Sequence, residues 1–210
     1  MGFPSVLSFA QKLINERLQP GDTAIDATAG TGADTLFLAK TCGRRGRVYA
    51  FDIQHEALHL TKARLDKEAA REAEHRVSIA SVTLLERSHA EMEEALPAEL
   101  KGRVGAIMFN LGYLPTEEAN HSLITLTDCT IAALHSAIAM LRPRGIVTIV
   151  LYPGHPGGAS EAEAVELWAS SLQTSVGQAI VYRQLQKPEA PYLIAIEKKI
   201  NSHILDKRGS

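Results

Sequence analysis

The sequence predicts an α/β domain with a doubly wound, mostly parallel, seven-stranded sheet whose terminal strand is reversed. Two observations lead to this fold class. Strand-like and helix-like segments alternate through most of the chain, and this alternation is typical of a parallel sheet with helical crossovers. The last two strand-like segments are separated only by a proline-containing loop, as in an antiparallel hairpin. We expect one domain over residues 1–200 and a flexible polar tail at 201–210.

Seven short apolar segments bounded by turn-forming residues are the predicted strands. They lie at residues 23–27, 47–52, 82–85, 104–109, 146–151, 178–184 and 192–197. Helical spacing or helix-forming composition predicts the helices. These lie at residues 7–18, 35–39, 56–70, 91–96, 121–141 and 160–172. We expect the fifth helix to close at Pro143 and Gly145, because proline cannot continue a helix.

Composition excludes several classes of protein. The chain has 210 residues, a formal net charge of −2 and two cysteines. It is too short for two large domains, too acidic for a wholly basic nucleic-acid surface, and has no disulfide framework. No apolar run is long enough to span a membrane, so we expect no membrane partner. Two widely separated cysteines are typical of a reducing compartment, so we expect a cytoplasmic location.

The first predicted strand ends in a glycine-containing turn that runs from Asp26 through Thr28 to Gly30 and Gly32. Glycines at such a turn let a ligand approach the backbone closely. Asp52 ends the second predicted strand, 20 positions after Gly32. A carboxylate there is typical of sites that bind the ribose hydroxyls of a nucleoside cofactor.

The residues around this turn favour one cofactor over another. Dinucleotide sites usually have a third glycine where this chain has Thr35. Asp26 and Asp34 suit a positively charged ligand and would repel a pyrophosphate. We therefore expect S-adenosylmethionine, with S-adenosylhomocysteine as product. A nicotinamide-dependent oxidoreductase, which would share only the fold, is the alternative.

The fourth predicted strand runs into the segment from Asn110 and Leu111 through Gly112 to Tyr113. Methyltransferases that act on amino groups have Asp or Asn at this strand end, then a tight turn and an aromatic residue. The Asn110 side chain and the Leu111 carbonyl would hold the N–H groups of an amine for in-line attack. Tyr113 would stack on a flat base. A purely structural turn is the alternative.

A loop rich in proline and glycine follows the fifth predicted strand and contains Tyr152, Gly154 and His155. A rigid loop at the carboxyl edge of a sheet often forms the wall of a site. His155 would orient the target or accept its proton; a surface histidine held by the loop is an equal alternative. The pattern His55-Glu56-x-x-His59 matches the spacing of zinc proteases. Because it directly follows the nucleoside-type carboxylate, we predict no metal.

Several segments together resemble the YtqB/MnmM type of methyltransferase, long described as rRNA methylases. They are the turn from Asp26 to Thr35 with the helix after it, Phe51-Asp52-Ile53-Gln54, Ser88-His89, Asn110-Leu-Gly-Tyr113-Leu-Pro115, Gly154-His155-Pro156-Gly157-Gly158 and residues 193–198. The resemblance covers roughly residues 5 to 198. It departs at Thr116-Glu117-Glu118-Ala119, where the family usually has Gly-Gly-Asp-Lys, which bears on the exact uridine recognised.

The resemblance implies a Rossmann-like class I methyltransferase that methylates the aminomethyl nitrogen of a wobble uridine in tRNA. It further implies adenine contacts at Gln54 and His89, and it is compatible with a homodimer. It implies an amine-binding role for Asp128, for which an ordinary carboxylate on the helix surface is the equal alternative. An rRNA or small-molecule amine substrate is the alternative. The partner would be the tRNA anticodon stem-loop, met by local basic clusters. Candidates for these clusters are residues 44–47, 62–71 and 198–199.

Overall fold

The computed structural model describes residues 2–75, 79–112 and 127–200. Within them, one sheet has strands β1 (Thr23–Asp26), β2 (Arg47–Asp52), β3 (Ser81–Glu86), β4 (Val104–Leu111), β5 (Leu141–Leu151), β6 (Gly177–Tyr182) and β7 (Tyr192–Lys198). Their spatial order is β3-β2-β1-β4-β5-β7-β6. Strand β7 is antiparallel to β5 and β6, and the other pairs are parallel. The predicted mostly parallel sheet with a reversed terminal strand is confirmed.

Helices alternate with these strands and cover both faces of the sheet. They are α1 (Val6–Asn15), α2 (Ala33–Cys42), α3 (His55–His75), α4 (Met92–Ala95), α5 (Thr127–Met140) and α6 (Gly158–Ser171). Buried side chains of α1 and α2, such as Ile14 and Leu38, form one core layer. Those of α5 and α6, such as Leu134 and Val165, form the layer on the opposite face. Most of the sheet is therefore enclosed on both faces.

The connection from α5 to β5 differs from its prediction. Helix α5 ends at Met140, close to the predicted end, but the strand already begins at Leu141 and includes Pro143. The pairing with β4 shifts register between Val104 and Ala106, and Arg144 has φ of 61°. This irregular start has the form of a β-bulge, which tolerates a proline. Regular pairing resumes at Ile146, where the prediction placed the start of the strand.

The strand order places a topological switch point between β1 and β4. From β1 the chain winds outward to β2 and β3 and then returns to β4 on the other side of β1. In doubly wound sheets, the crevice beyond the carboxyl ends of such neighbouring strands binds ligands. Asp26 ends β1 and Asn110 lies near the end of β4. Among the described residues, no helix is both long and apolar enough to cross a bilayer.

Candidate active site

Asp26 is buried at the end of β1, with 1% of its surface exposed. Its Oδ2 accepts a hydrogen bond of 2.6 Å from the Thr35 hydroxyl, and its Oδ1 accepts one of 3.1 Å from the Thr28 amide. These bonds join the strand end to both sides of the glycine turn. Thr35 stands where dinucleotide sites have a glycine. Its hydroxyl is a hydrogen-bond donor to this carboxyl and helps to fix the conformation of the turn.

Three carboxyl groups around the turn have raised pKa values. Burial, followed by the nearby charge of Asp34, raises the pKa of Asp26 from 3.8 to about 7. Burial likewise raises the pKa of Asp34 and that of Asp52. All three pKa values rise because the ionised forms lose hydration, and at Asp26 the charges of Asp34 and Asp52 add to this effect. A positively charged ligand would relieve this cost, whereas a phosphate would increase it.

Asp52 joins the end of β2 to the glycine turn. Its Oδ2 accepts a hydrogen bond of 2.9 Å from the Gly30 amide, and its Oδ1 accepts one of 3.0 Å from the Gln54 amide. A carboxylate can accept about four hydrogen bonds, so both oxygens keep capacity for ligand hydroxyls. The predicted residues Gly30, Asp52 and Gln54 are thus brought into direct contact.

Three residues support the turn through contacts that the sequence did not predict. The Thr61 hydroxyl donates to the Gly30 carbonyl at 3.2 Å, and Arg64 Nε donates to the Thr31 carbonyl at 2.7 Å. Gln11, on α1, donates to Asp34 Oδ1 at 3.1 Å. All three are distant in sequence from their partners, and no local motif marks them. Thr61 and Arg64 bind the turn from α3, and Gln11 binds Asp34 from α1.

Gly32 is required by conformation and by space. Its φ is +77°, and a Cβ there would lie 2.7 Å from the Thr61 Cα. We expect Gly32→Ala to lower the free energy of unfolding by about 2 kcal/mol or more, since strain and overlap add. Gly43→Ala is the matched control, because Gly43 has φ of +61° but nothing within 4 Å of its Cβ position. Equal losses for the two variants in urea unfolding would contradict the close approach.

The end of β4 is attached to the same turn. The backbone amide of Asn110 donates to the Thr28 hydroxyl at 2.8 Å. The backbone amide of Ala27 donates to the Met108 carbonyl at 2.8 Å. Asn110 is half-buried, Leu111 is buried, and Gly112 is partly exposed at the rim. The residues expected to hold an amine therefore lie directly beside the acidic turn. Tyr113 lies outside the described residues.

The loop after β5 forms the neighbouring wall. The His155 amide donates to the Tyr152 carbonyl at 3.2 Å, and the two rings lie 5.3 Å apart between centroids. A Cβ on Gly158 would overlap the Tyr152 carbonyl oxygen, and one on Gly154 would lie 3.1 Å from the Glu189 carbonyl oxygen. These close approaches leave little room for a side chain at either position, which explains why both residues are glycine. The predicted wall residues Tyr152, Gly154 and His155 are brought together.

Two other candidates occupy different environments. His89 is buried, its Nδ1 lies 3.2 Å from the Ala27 carbonyl oxygen, and its ring stacks edgewise on Phe109. Burial lowers the pKa of His89, so its imidazole is neutral and its Nδ1–H donates to that carbonyl. Asp128 is exposed in the first turn of α5.

Among the residues that the structure describes, no cluster of three metal-ligating side chains occurs.

The arrangement combines two kinds of chemistry at one edge of the sheet. The turn after β1 offers buried carboxyls and backbone amides, which suit a cationic group and a polyol. The end of β4, joined to that turn through Thr28, offers an amide side chain and strand-end carbonyls that accept N–H hydrogen bonds. A cationic donor and an amine acceptor would therefore meet between β1 and β4.

Comparison with known proteins agrees with this chemistry. The model of the family described as "putative rRNA methylase" matches residues 48–197. A curated relative from Arabidopsis thaliana, a chloroplastic tRNA (mnm(5)s(2)U34)-methyltransferase, is 40% identical over 189 residues, which is 88% of this chain. The match covers 66% of that relative's length, so the chain spans slightly less than two thirds of it.

Two solved structures share the fold over nearly the whole chain. A protein from Clostridium thermocellum with the same family description is 33% identical, with a TM-score of 0.83 over 94% of this chain and 100% of that one. A "putative methyltransferase" from Streptococcus mutans, solved in complex with S-adenosylhomocysteine, is 27% identical, with a TM-score of 0.78 over 94% of this chain and 99% of that one.

Proposed function

The chain belongs to the rRNA methylase family, and from this premise we propose that it methylates the aminomethyl nitrogen of 5-aminomethyl-2-thiouridine at the wobble position of tRNA. The methyl donor is S-adenosylmethionine. The observation that supports the reaction class is the hydrogen bond from the backbone amide of Asn110 to the Thr28 hydroxyl, since it joins the end of β4, which we propose binds the amine, to the acidic turn. The curated relative supports the choice of nucleoside.

The acidic turn fits this cofactor by its charge and its hydrogen-bonding capacity. When bound, S-adenosylmethionine supplies a methyl group activated by a positively charged sulfur. Asp26 and Asp34 would balance the positive charges, Asp52 would accept from the ribose hydroxyls, and Gly30 and Gly32 would let the ligand approach the backbone. Gln54 and His89 would contact the adenine. Thr28 and Thr35 hold the turn in shape.

The end of β4 and the loop after β5 would hold the target. The Asn110 side chain and the Leu111 carbonyl accept from the amine, while the bare backbone of Gly112 lets the base approach. Tyr113 stacks on that base, and Tyr152, Gly154 and His155 form the opposite wall. Asp128 would attract the amine to the site, and His155 would orient it. Orientation of the neutral amine would supply most of the rate enhancement.

Recognition of tRNA phosphates depends on which basic residues share the edge of the site. Arg47 begins β2, and Lys198 ends the antiparallel β7, so both lie at the opposite edge of the sheet. Arg183 and Lys187 lie in the connection from β6 to β7, at the same edge as the end of β5. We therefore assign anticodon stem-loop contacts to Arg183 and Lys187, with salt-sensitive binding.

Nucleoside mass spectrometry of tRNA from cells lacking the gene tests the proposal. Loss of the methylaminomethyl nucleoside, accumulation of its aminomethyl precursor, and rescue by the wild-type gene are the expected results. The family description favours rRNA as the second candidate substrate. An unchanged tRNA nucleoside profile together with a lost rRNA methylation would overturn the tRNA assignment and support this second candidate.

Cofactor binding is expected to strengthen as pH rises. In the free protein the pKa of Asp26 is about 7, and a cationic ligand lowers it, so binding releases a proton between the two pKa values. If the bound pKa falls below 6, the affinity for S-adenosylmethionine is about tenfold lower at pH 6 than at pH 8. The same raised pKa makes the fold less stable as pH rises from 3.8 to about 7, since the folded state holds the proton more tightly.

Titration calorimetry in buffers of different ionisation enthalpy measures this proton release directly. Asp26→Asn is expected to bind more weakly and to lose most of the dependence on pH. Proton uptake on binding, or a pH dependence that is unchanged in Asp26→Asn, would contradict the role of this carboxyl.

The assembly and location proposed for the enzyme follow the resemblance. The homodimer stays a prediction, for which exposed apolar side chains on α6 and near β6, such as Leu167 and Leu185, offer a surface. Light scattering in solution decides it. Cys42 and Cys129 are both free thiols, which together with a tRNA substrate supports a cytoplasmic location.

A further inference from the structure

Gln11 connects the first helix of the chain to the acidic turn. It is half-buried on α1, and its Nε2 donates a hydrogen bond of 3.1 Å to Oδ1 of Asp34 in the first turn of α2. Among the described residues, no donor bonds the other oxygen of this carboxyl. Oδ2 of Asp34 therefore keeps its full capacity to accept hydrogen bonds from a ligand.

The place of Gln11 is set by the packing of α1. Ala10 and Ile14, on either side of it in the helix, are fully buried in the core that α1 shares with α2. One turn further along, Asn15 accepts a hydrogen bond of 3.2 Å from the Thr41 hydroxyl on α2. Because core packing holds the two helices together, removal of the Gln11 amide would remove a donor to Asp34 and leave α1 in place.

Asp26 and Asp34 differ in what they can offer a ligand. Asp26 is buried, and each of its oxygens already accepts a hydrogen bond from the turn. Asp34 is half-buried and has an oxygen available. An ammonium group has three N–H donors that need acceptors within reach, whereas a sulfonium has none and responds to the surrounding charge. Asp34 therefore suits the ammonium group of the cofactor, and Asp26 acts through its charge.

The donor that holds Asp34 is a neutral amide. The charge of Asp34 contributes to the raised pKa of Asp26, so the two carboxyls are close enough to repel. An unrestrained Asp34 side chain would turn away from Asp26 and from the crevice. A lysine or arginine in place of Gln11 would also hold the carboxyl, but it would neutralise the charge that the ligand needs. An amide fixes one oxygen and leaves that charge in place.

We propose that Gln11 is a positioning residue, whose amide holds the Asp34 carboxyl in the orientation that binds the ammonium group of the cofactor. This inference rests on the proposed function and deepens it, since it adds α1 to the cofactor site. Gln11 would act through Asp34 and would not contact the sulfur or the transferred methyl group.

The first test compares two ligands by titration calorimetry. S-adenosylhomocysteine has the ammonium group, and its deamino analogue lacks it. In Gln11→Ala, we expect the Kd for S-adenosylhomocysteine to rise about 5- to 10-fold, as for one lost hydrogen bond, and the Kd for the analogue to stay within about twofold. Asn15→Ala is the matched control, because it removes another amide between α1 and α2 without touching Asp34. It should change neither Kd.

A double-mutant cycle tests whether Gln11 acts through Asp34. Asp34→Ala alone is expected to weaken S-adenosylhomocysteine binding by about 10- to 100-fold, since a charge-assisted hydrogen bond is lost. Gln11→Ala added to Asp34→Ala should then change the Kd by less than about twofold, because no carboxyl remains to be oriented.

The results distinguish a positioning role from a structural one. Equal losses for the two ligands in Gln11→Ala, wild-type affinity in that variant, or an effect that persists in Asp34→Ala would overturn the proposal. A wild type that binds both ligands alike would overturn it too. A loss that needs both the amino group and Asp34 supports it. These measurements use no tRNA, so a wild type that binds cofactor but methylates no tRNA would refute the proposed substrate and leave the role of Gln11 decided.

Discussion

Asn110→Ala is expected to reduce methyl transfer to tRNA by about 100-fold or more, because the amine loses the acceptor that orients it. Cofactor binding should persist, since the bond from β4 to the glycine turn uses the backbone amide of Asn110 and not its side chain. Single-turnover kinetics with radiolabelled S-adenosylmethionine measures the loss, and calorimetry with S-adenosylhomocysteine measures the retained binding.

A matched control is Asn15→Ala, since Asn15 also bears an amide that accepts a hydrogen bond, from Thr41, at an exposed position. It should leave both measurements unchanged. Wild-type turnover in Asn110→Ala would remove Asn110 from the catalytic machinery. A large loss of cofactor affinity would instead assign Asn110 to the cofactor pocket.

Asp52→Ala is expected to weaken S-adenosylmethionine binding by about 100-fold, or about 3 kcal/mol, because two charge-assisted hydrogen bonds to the ribose are lost. The Gly30 and Gln54 amides also lose their acceptor, so the turn is less well held. Calorimetry with the cofactor and its product measures the effect, and both ligands should lose affinity alike because they share the ribose.

The neighbouring strand offers a control for this second prediction. Glu86 ends β3, pairs with His55 and is exposed. Glu86→Ala removes one negative charge from the same edge of the sheet without touching the turn, and cofactor affinity should stay within about twofold. If Asp52→Ala bound as tightly as the wild type, the ribose assignment would be wrong.

Much of the architecture was predictable because its signals are local. Strand β2 matches its predicted bounds, residues 47–52, and the terminal hairpin of β6 and β7 forms as expected. The start of β5 was not predictable. Pro143 and Gly145 suggested a loop, while pairing with β4 over long sequence distance draws this segment into the sheet as a bulge.

The candidate site shows the same division. The sequence by itself determined the acidic glycine turn and the amide at the end of β4, because each is a contiguous motif with its own chemistry. Only the tertiary structure decided what supports them. Gln11 and Thr61 come from α1 and α3, and Tyr152, in the loop after β5, packs near Gly112 at the end of β4.

The tertiary structure also decided which basic side chains lie at the edge of the sheet that carries the candidate site. The direction of each strand sends Arg47 and Lys198 to the far edge of the sheet and places Arg183 at the near one. Nothing near these residues in the sequence reveals the edge on which they lie. That edge is set by which strands pair and in which direction, and pairing is fixed by hydrogen bonds and core packing between segments far apart in the chain.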